Sequence, residues 1–284
     1  MEKIIVGKQQ TLVIKRFLDF GAFLGFEGAA EVVLLPKKQV PAGAKEGDAL
    51  SVFVYRDSED RMIATVREPL AMVGDIAYLA VKTVTRIGAF LDWGLEKDLF
   101  MPYKEMEGGV KSGDRVLVYV YTDKSDRLCA TMKLYDHLQA VTQGEFVKDE
   151  AFHGYVYRMN PDVGAFVAVE QEGVYFYGLI PKTQVFKPYR AGEPVEGRVV
   201  RVRPDGKLDL AVRDKAYKQI ESDAEAILKK IDEYDGELPF SESASPEIIK
   251  RELNMSKNGF KKALGHLYKE EKIVIGEKSV KRVR

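Results

Sequence analysis

The stretch DFGAFLGF at residues 19–26 returns in altered form as RIGAFLDW at 86–93 and as DVGAFVAV at 162–169. Nothing else in the chain constrains its fold as strongly, because a unit written three times must be built three times. Three more landmarks follow each Gly-Ala-Phe piece in the same order. First comes an aliphatic pair before proline: VVLLPKK with Pro36, DLFMPYK with Pro102 and GLIPKTQ with Pro181. A Gly-acidic turn then leads into an alternating segment, EGDALSVFVY, SGDRVLVYVY or AGEPVEGRVV. Each unit closes on a turn and a short apolar run, SEDRMIATV, KSDRLCATM or PDGKLDLAV.

Every landmark has the grammar of a strand or a turn. In RVLVYVY, Val116, Val118 and Val120 share one face while Leu117, Tyr119 and Tyr121 share the other, the period of two that a strand imposes. In LSVFVY, Leu50, Val52 and Val54 face inward and Phe53 and Tyr55 lie opposite. The glycines at 21, 88 and 164 fit a bulge or tight bend, where a missing side chain relieves crowding. About five short strands in roughly 65 residues suit a small antiparallel barrel that closes its own edges. The glycines stand 67 and 76 residues apart, and the longer interval holds LYDHLQAVTQGEFVKDE, 134–150, read as a short helix or linker.

This order of motifs resembles the ribosomal S1 RNA-binding domain, a five-stranded OB barrel. The resemblance implies one barrel over each of residues 1–67, 68–138 and 139–214, and it places the ring of each Ala-Phe pair, Phe23, Phe90 and Phe166, on a nucleic-acid face. The common histidine of that family is absent from all three copies, where Leu35, Met101 and Ile180 stand nearest to it. The second copy carries additional rings in Phe100, Trp93 and Tyr103, so it is the best candidate surface for stacking bases. Arg61 and Arg127, at matching places after the closing turn, would supply phosphate contacts. Each reading has a plainer alternative: strand aromatics belong to cores, Trp93 seals an interface between modules, and the arginines are ordinary edge-strand charges.

Beyond residue 214 the period changes to 3.6. Tyr217, Ile220, Ala224, Ile227, Leu228 and Ile231 form one apolar stripe. Ser245 and Pro246 supply a start signal for a second helix carrying Ile248, Ile249 and Leu253. Ser256 caps a third, with Phe260, Ala263, Leu264 and Leu267 inward, and KIVIGEKSVKRV gives two short strands around Gly276-Glu277. Three helices and a hairpin over 215–284 describe a winged helix-turn-helix domain. The fold class is therefore mainly β with a C-terminal α/β part: three tandem five-stranded OB barrels plus a winged helix. That combination, and the stretch DGELPFSESASPEIIKRELNMSKNGFKKALGHLYKEEKIVI in particular, resembles the conserved virulence factor B (YitL-like) family, which implies a cytoplasmic RNA-binding protein acting on gene expression.

Charge sharpens the expectation. The chain has 44 basic and 44 acidic residues, but residues 246–284 hold 11 basic and 5 acidic ones, a local excess of six. Lys257, Lys261 and Lys262 project from the third helix away from its apolar stripe, and Lys278, Lys281, Arg282 and Arg284 sit on the hairpin and tail. Clustered cations suit phosphate backbones. Their alternative is a solvated lysine face.

Nothing points to catalysis. His137, His153 and His266 are far apart and lack metal-ligand spacing, and no phosphate-binding Gly-x-x-x-x-Gly-Lys or Gly-x-Ser-x-Gly is present. The expectation is a protein that is not an enzyme and uses no cofactor or metal. No apolar run approaches the roughly 20 residues of a membrane span, and the start MEKIIVGKQQ lacks the apolar stretch of a signal peptide. The single cysteine, Cys129, cannot form an internal disulfide, which agrees with a cytoplasmic setting. The expected partner is single-stranded RNA, bound for post-transcriptional control. The rivals are a protein-interaction scaffold, with a protein partner, and a transcriptional regulator whose winged helix contacts duplex DNA.

Overall fold

The alternating segments become strands with the pairings of an OB barrel. The first barrel consists of β1 (Gln9–Leu18), β2 (Gly21–Gly25), β3 (Val33–Pro36), β4 (Ala49–Arg56) and β5 (Met62–Thr65). The second consists of β6 (Ile76–Val84), β7 (Gly88–Asp92), β8 (Leu99–Pro102), β9 (Arg115–Thr122) and β10 (Leu128–Thr131). The third is built from β11 (Ala151–Asn160), β12 (Gly164–Gln171), β13 (Val174–Pro181), β14 (Pro194–Val202) and β15 (Leu208–Val212). In this computed structural model, which describes residues 2–142, 144–185, 187–212 and 215–283, all three sheets close in the same strand order. The first strand pairs antiparallel with the second and fourth, and the third runs parallel to the fifth. Closure satisfies every edge, which an open five-stranded sheet would leave exposed.

The repeated glycine relieves crowding, as expected of a bulge or tight bend, but the bulge itself lies elsewhere. Each barrel does carry a register shift, but on its first strand: between Ile14 and Arg16, Val81 and Thr83, and Val156 and Arg158. The glycine instead marks a close approach between strands two and three. A Cβ added at Gly21, Gly88 or Gly164 would lie 2.2, 2.1 or 2.0 Å from the carbonyl oxygen of Leu35, Met101 or Ile180. No side chain fits there, whatever its chemistry.

Inward residues fill each barrel as the period of two requires. Leu12, Ile14, Leu24, Leu35, Val52 and Val54 make the first core, and Val116, Val118 and Val120 join the second. Opposite faces are not all wet. Phe53 and Tyr55, on the outside of β4, pack into the second barrel's cluster beside Trp93, and Leu117, on the outside of β9, packs with Tyr157 and Ala168 of the third. The expected linker 134–150 opens on a 3₁₀ turn, Tyr135–His137, whose flanking Leu134 and Leu138 are buried in this second seam.

The C-terminal unit, Arg213–Arg284, has its own core. Here α1 (Lys215–Glu233), α2 (Pro246–Leu253) and α3 (Lys257–Lys269) pack with a sheet of β16 (Glu237–Leu238), β17 (Ile273–Ile275) and β18 (Val280–Arg282). Ala224, Ile227, Ile231, Ile249, Phe260, Ala263, Leu264 and Leu267 are all buried in it, while the side chain of Tyr217 lies outside the described residues. The Ser245 and Ser256 hydroxyls accept from the amides of Ile248 and Gly259, capping α2 and α3. Strand β16 was not foreseen. Two residues are too few to show a period.

Candidate nucleic-acid interface

In each barrel the register brings one residue of each of the first three strands side by side on the outer surface. Phe23 stands between Arg16 and Leu34, Phe90 between Thr83 and Phe100, and Phe166 between Arg158 and Leu179. The bulge on the first strand sets this triplet, because it turns Arg16, Thr83 and Arg158 outward after a run of alternating core residues.

The second barrel's rings meet as expected. Phe90 and Phe100 are both partly buried, 5.3 Å apart and tilted at 43°. Tyr103, 68% exposed, stands next to Pro102 at the end of β8. Trp93 must be removed from this surface. It is only 2% exposed, packs edge-on against Phe53 of the first barrel at 5.7 Å, and donates its indole N–H to the Lys97 carbonyl at 2.6 Å. A ring this buried cannot offer a face to a stacked base, so Trp93 seals the seam between modules.

The first barrel is richer than its sequence suggested. Phe20, 59% exposed, meets Phe23 edge-on at 6.5 Å, and the Arg16 guanidinium lies 5.0 Å from the Phe23 ring centre. A cation over a partly buried ring, next to a second ring that is exposed, is suited to a stacked base and its phosphate. The residue before each repeat glycine is exposed and apolar in every copy: Phe20, Ile87 and Val163. That position was legible as part of the repeat but carries no strand period, because it belongs to the hairpin turn. In the third barrel Phe166 packs on buried Tyr157 at 6.1 Å, so its ring is partly used up in the seam. A neighbouring group, Tyr135 and Tyr177 with the Lys207 ammonium 5.4 Å from both ring centres, had no counterpart in the repeat pattern.

The two arginines are paired with acids. Arg61 holds Asp57 through two nitrogens at 2.8 and 2.9 Å and reaches Glu59 at 2.8 Å. Partial burial acts in the opposite direction, yet this contact holds the Asp57 carboxyl below its usual range. Arg127 reaches Asp60 of the first barrel at 3.3 Å. Exposed pairs of this kind contribute only ~0–1 kcal/mol, so a phosphate can replace the carboxylate cheaply. The family's missing histidine has a structural counterpart: Leu35, Met101 and Ile180 are fully buried core residues, and the partly exposed residue after each is a proline.

On the winged helix, Lys257 begins α3 and is partly buried, while Lys261 and Lys262 are exposed. Lys261 approaches Glu242 at 3.9 Å, Lys281 pairs with Glu237 at 3.1 Å, and Arg282 pairs with Asp232. Arg284 lies outside the described residues. Two of the hairpin cations are thus partly neutralised, while Lys257 and Lys262 of α3 and the exposed Lys278 of the hairpin have no ion pair among the described residues and are the better candidates for phosphate contact.

The histidines stay apart. His137 stacks on Tyr119 at 3.5 Å, His153 lies 3.9 Å from Glu170, and His266 lies 3.3 Å from Glu270. Among the described residues no group of three or more His, Cys, Asp or Glu is placed to hold a metal ion, and no helix is long and apolar enough to cross a membrane.

Comparison with known proteins agrees with this geometry. The S1 domain family matches residues 6–67 and 73–133, and the CvfB-like winged helix domain matches residues 225–281. The chain is 29% identical over 276 residues to "Uncharacterized protein YitL" of Bacillus subtilis, covering 94% of this chain and 90% of that one. It is 29% identical over 237 residues to "Conserved virulence factor B" of Staphylococcus aureus, covering 81% of this chain and 77% of that one. A crystal structure described as a multidomain protein with nucleic acid binding domains, from Streptococcus pneumoniae, shares the fold with a TM-score of 0.55 at 23% identity, over 98% of both chains.

Proposed function

Because the chain carries S1 domains and a CvfB-like winged helix domain and is a homologue of conserved virulence factor B and YitL, we propose that it is a non-enzymatic, cytoplasmic protein that binds single-stranded RNA in post-transcriptional control. The observation that carries this reading is the outer surface of the first two barrels. Two ring pairs, Phe20 with Phe23 and Phe90 with Phe100, occupy equivalent faces, with Arg16 beside the first. Rings stack bases whatever their identity, at roughly 1–3 kcal/mol per base, and cations hold the backbone. Several weak modules on one chain bind one strand well, because each later contact is intramolecular. The winged helix adds charge through Lys257, Lys261 and Lys262. Lysine is a point charge suited to phosphate and a poorer reader of base edges than Arg, Asn or Gln.

The test is a salt titration of binding to single-stranded RNA and to a randomised duplex DNA. Counterion release makes the affinity for RNA fall steeply and log-linearly with salt. A flat dependence rejects the reading, and recovery of one strong duplex consensus by residues 215–284 transfers the function to DNA.

A further inference from the structure

A cleft of about 190 Å³ lies where the first and second barrels meet, with Tyr55, Trp93, Phe100, Tyr121, Cys129 and Arg127 among its walls. It is smaller than the roughly 300–1,000 Å³ of pockets that hold a whole drug-sized ligand. Ring-lined walls and this size suit one flat heterocycle. The junction is already clamped: Lys97 Nζ donates to the Asp57 carbonyl at 2.7 Å, Arg56 Nε to the Asp126 carbonyl at 3.2 Å, and Arg127 meets Asp60.

Two hydroxyls make it a site. Tyr55 and Tyr121 hold the same place in successive repeats, and both line this one cleft. Tyr55 is only 5% exposed, yet among the described residues its hydroxyl has no hydrogen-bond partner. Since no enclosed side-chain polar atom among the described residues is left unpartnered, that hydroxyl is in contact with solvent, and Tyr55 is one of the cleft walls. A hydroxyl open to solvent beside a ring-lined cleft can exchange its water for a ligand atom. Burial pushes the Tyr121 phenol up to about 12, so it stays protonated and able to donate. Phe100 continues the site outward, being both a cleft wall and the tilted neighbour of Phe90.

We propose that this cleft receives one nucleobase turned out of a strand lying on Phe90 and Phe100, with the Tyr55 and Tyr121 hydroxyls bonded to its edge, and that it sets a base preference at that position. The inference rests on the single-stranded binding proposed above.

Trp93 is the only tryptophan in the sequence and lies in the cleft wall, so its emission reports occupancy. The probe is an RNA of about 12 nucleotides, within the ~4–16 that an OB fold covers, carrying a single 5-bromouracil moved along its length. Binding is followed in parallel by anisotropy. Quenching of Trp93 from one position several-fold more than from the others is the expected result. Tyr55→Phe combined with Tyr121→Phe keeps both rings and the thermal melt, weakens binding about five- to tenfold per hydroxyl, and flattens the base profile. Equal quenching from all positions, or wild-type affinity and base profile in the double variant, overturns the inference while leaving RNA binding intact. Quenching by free 5-bromouridine monophosphate as strong as by the oligonucleotide overturns the strand assignment. Absence of anisotropy change with wild-type protein rejects the RNA reading and the cleft with it.

Discussion

Replacing Phe90 and Phe100 together with alanine separates a binding surface from a core, because the two roles predict different magnitudes. If each ring stacks one base, binding loses about 2–4 kcal/mol in all, a fall in affinity of roughly 30- to 700-fold. The stability cost is smaller than for core rings. Both are only partly buried, so each forfeits most but not all of the ~1.5–3 kcal/mol that full burial of a phenylalanine contributes, about 1–2 kcal/mol apiece. For a unit of this size the melting temperature then falls by roughly 4–16 °C, and the protein stays folded at 25 °C. Fluorescence anisotropy with labelled RNA gives the first quantity and circular dichroism the second. Single Phe23→Ala and Phe166→Ala variants calibrate the scale. Phe166→Ala should cost the less in binding, since its ring is partly engaged by Tyr157. A folded double variant with unchanged affinity would refute the stacking surface. An unfolded one would return both rings to the core.

Two further outcomes follow from buried groups. Burial pushes the Cys129 thiol up to about 11, so in the native protein at pH 8 it should resist iodoacetamide and become reactive only in denaturant, as mass spectrometry of the alkylated protein will show. Burial against Tyr119 lowers the His137 pKa, so the unfolded chain binds this proton more readily than the folded one. Its contribution to stability is complete above the ordinary histidine pKa near 6.5 and is lost as pH falls from there through the folded value. Denaturation midpoints between pH 7 and 5 should decline less in His137→Gln than in wild type.

Much of the architecture was legible because it is periodic. A period of two marked the barrel strands and a period of 3.6 marked α1 to α3, and both survive in the burial of Val116, Val118 and Val120 and of Phe260, Ala263, Leu264 and Leu267. Features that lack a period escaped. Phe20 sits in a hairpin turn, β16 is two residues long, and sequence does not separate a glycine at a bulge from one that relieves crowding at a tight bend. Trp93 was ambiguous for a different reason. Composition marks a large ring as valuable to bury, but whether water, a base or another barrel covers it depends on residues some 40 positions away, such as Phe53.

Outer faces of the fourth strand nevertheless carry a signal that composition hides. At equivalent positions the repeats have Ser51, Phe53 and Tyr55, then Leu117, Tyr119 and Tyr121, then Glu196, Arg198 and Val200. The first two sets are largely apolar, and each is covered by the next barrel: Phe53 and Tyr55 by the second, Leu117 and Tyr119 by the third. Two of the third set are charged, and Glu196, Arg198 and Val200 are all exposed. An array of modules needs an outer face of this kind on its last copy, since an uncovered apolar face would seek another barrel or aggregate. Stacking barrels through that strand also brings Tyr55 and Tyr121 onto one cleft, so the contact that holds the array together is the one that builds a cleft sharing Phe100 with the Phe90 and Phe100 surface.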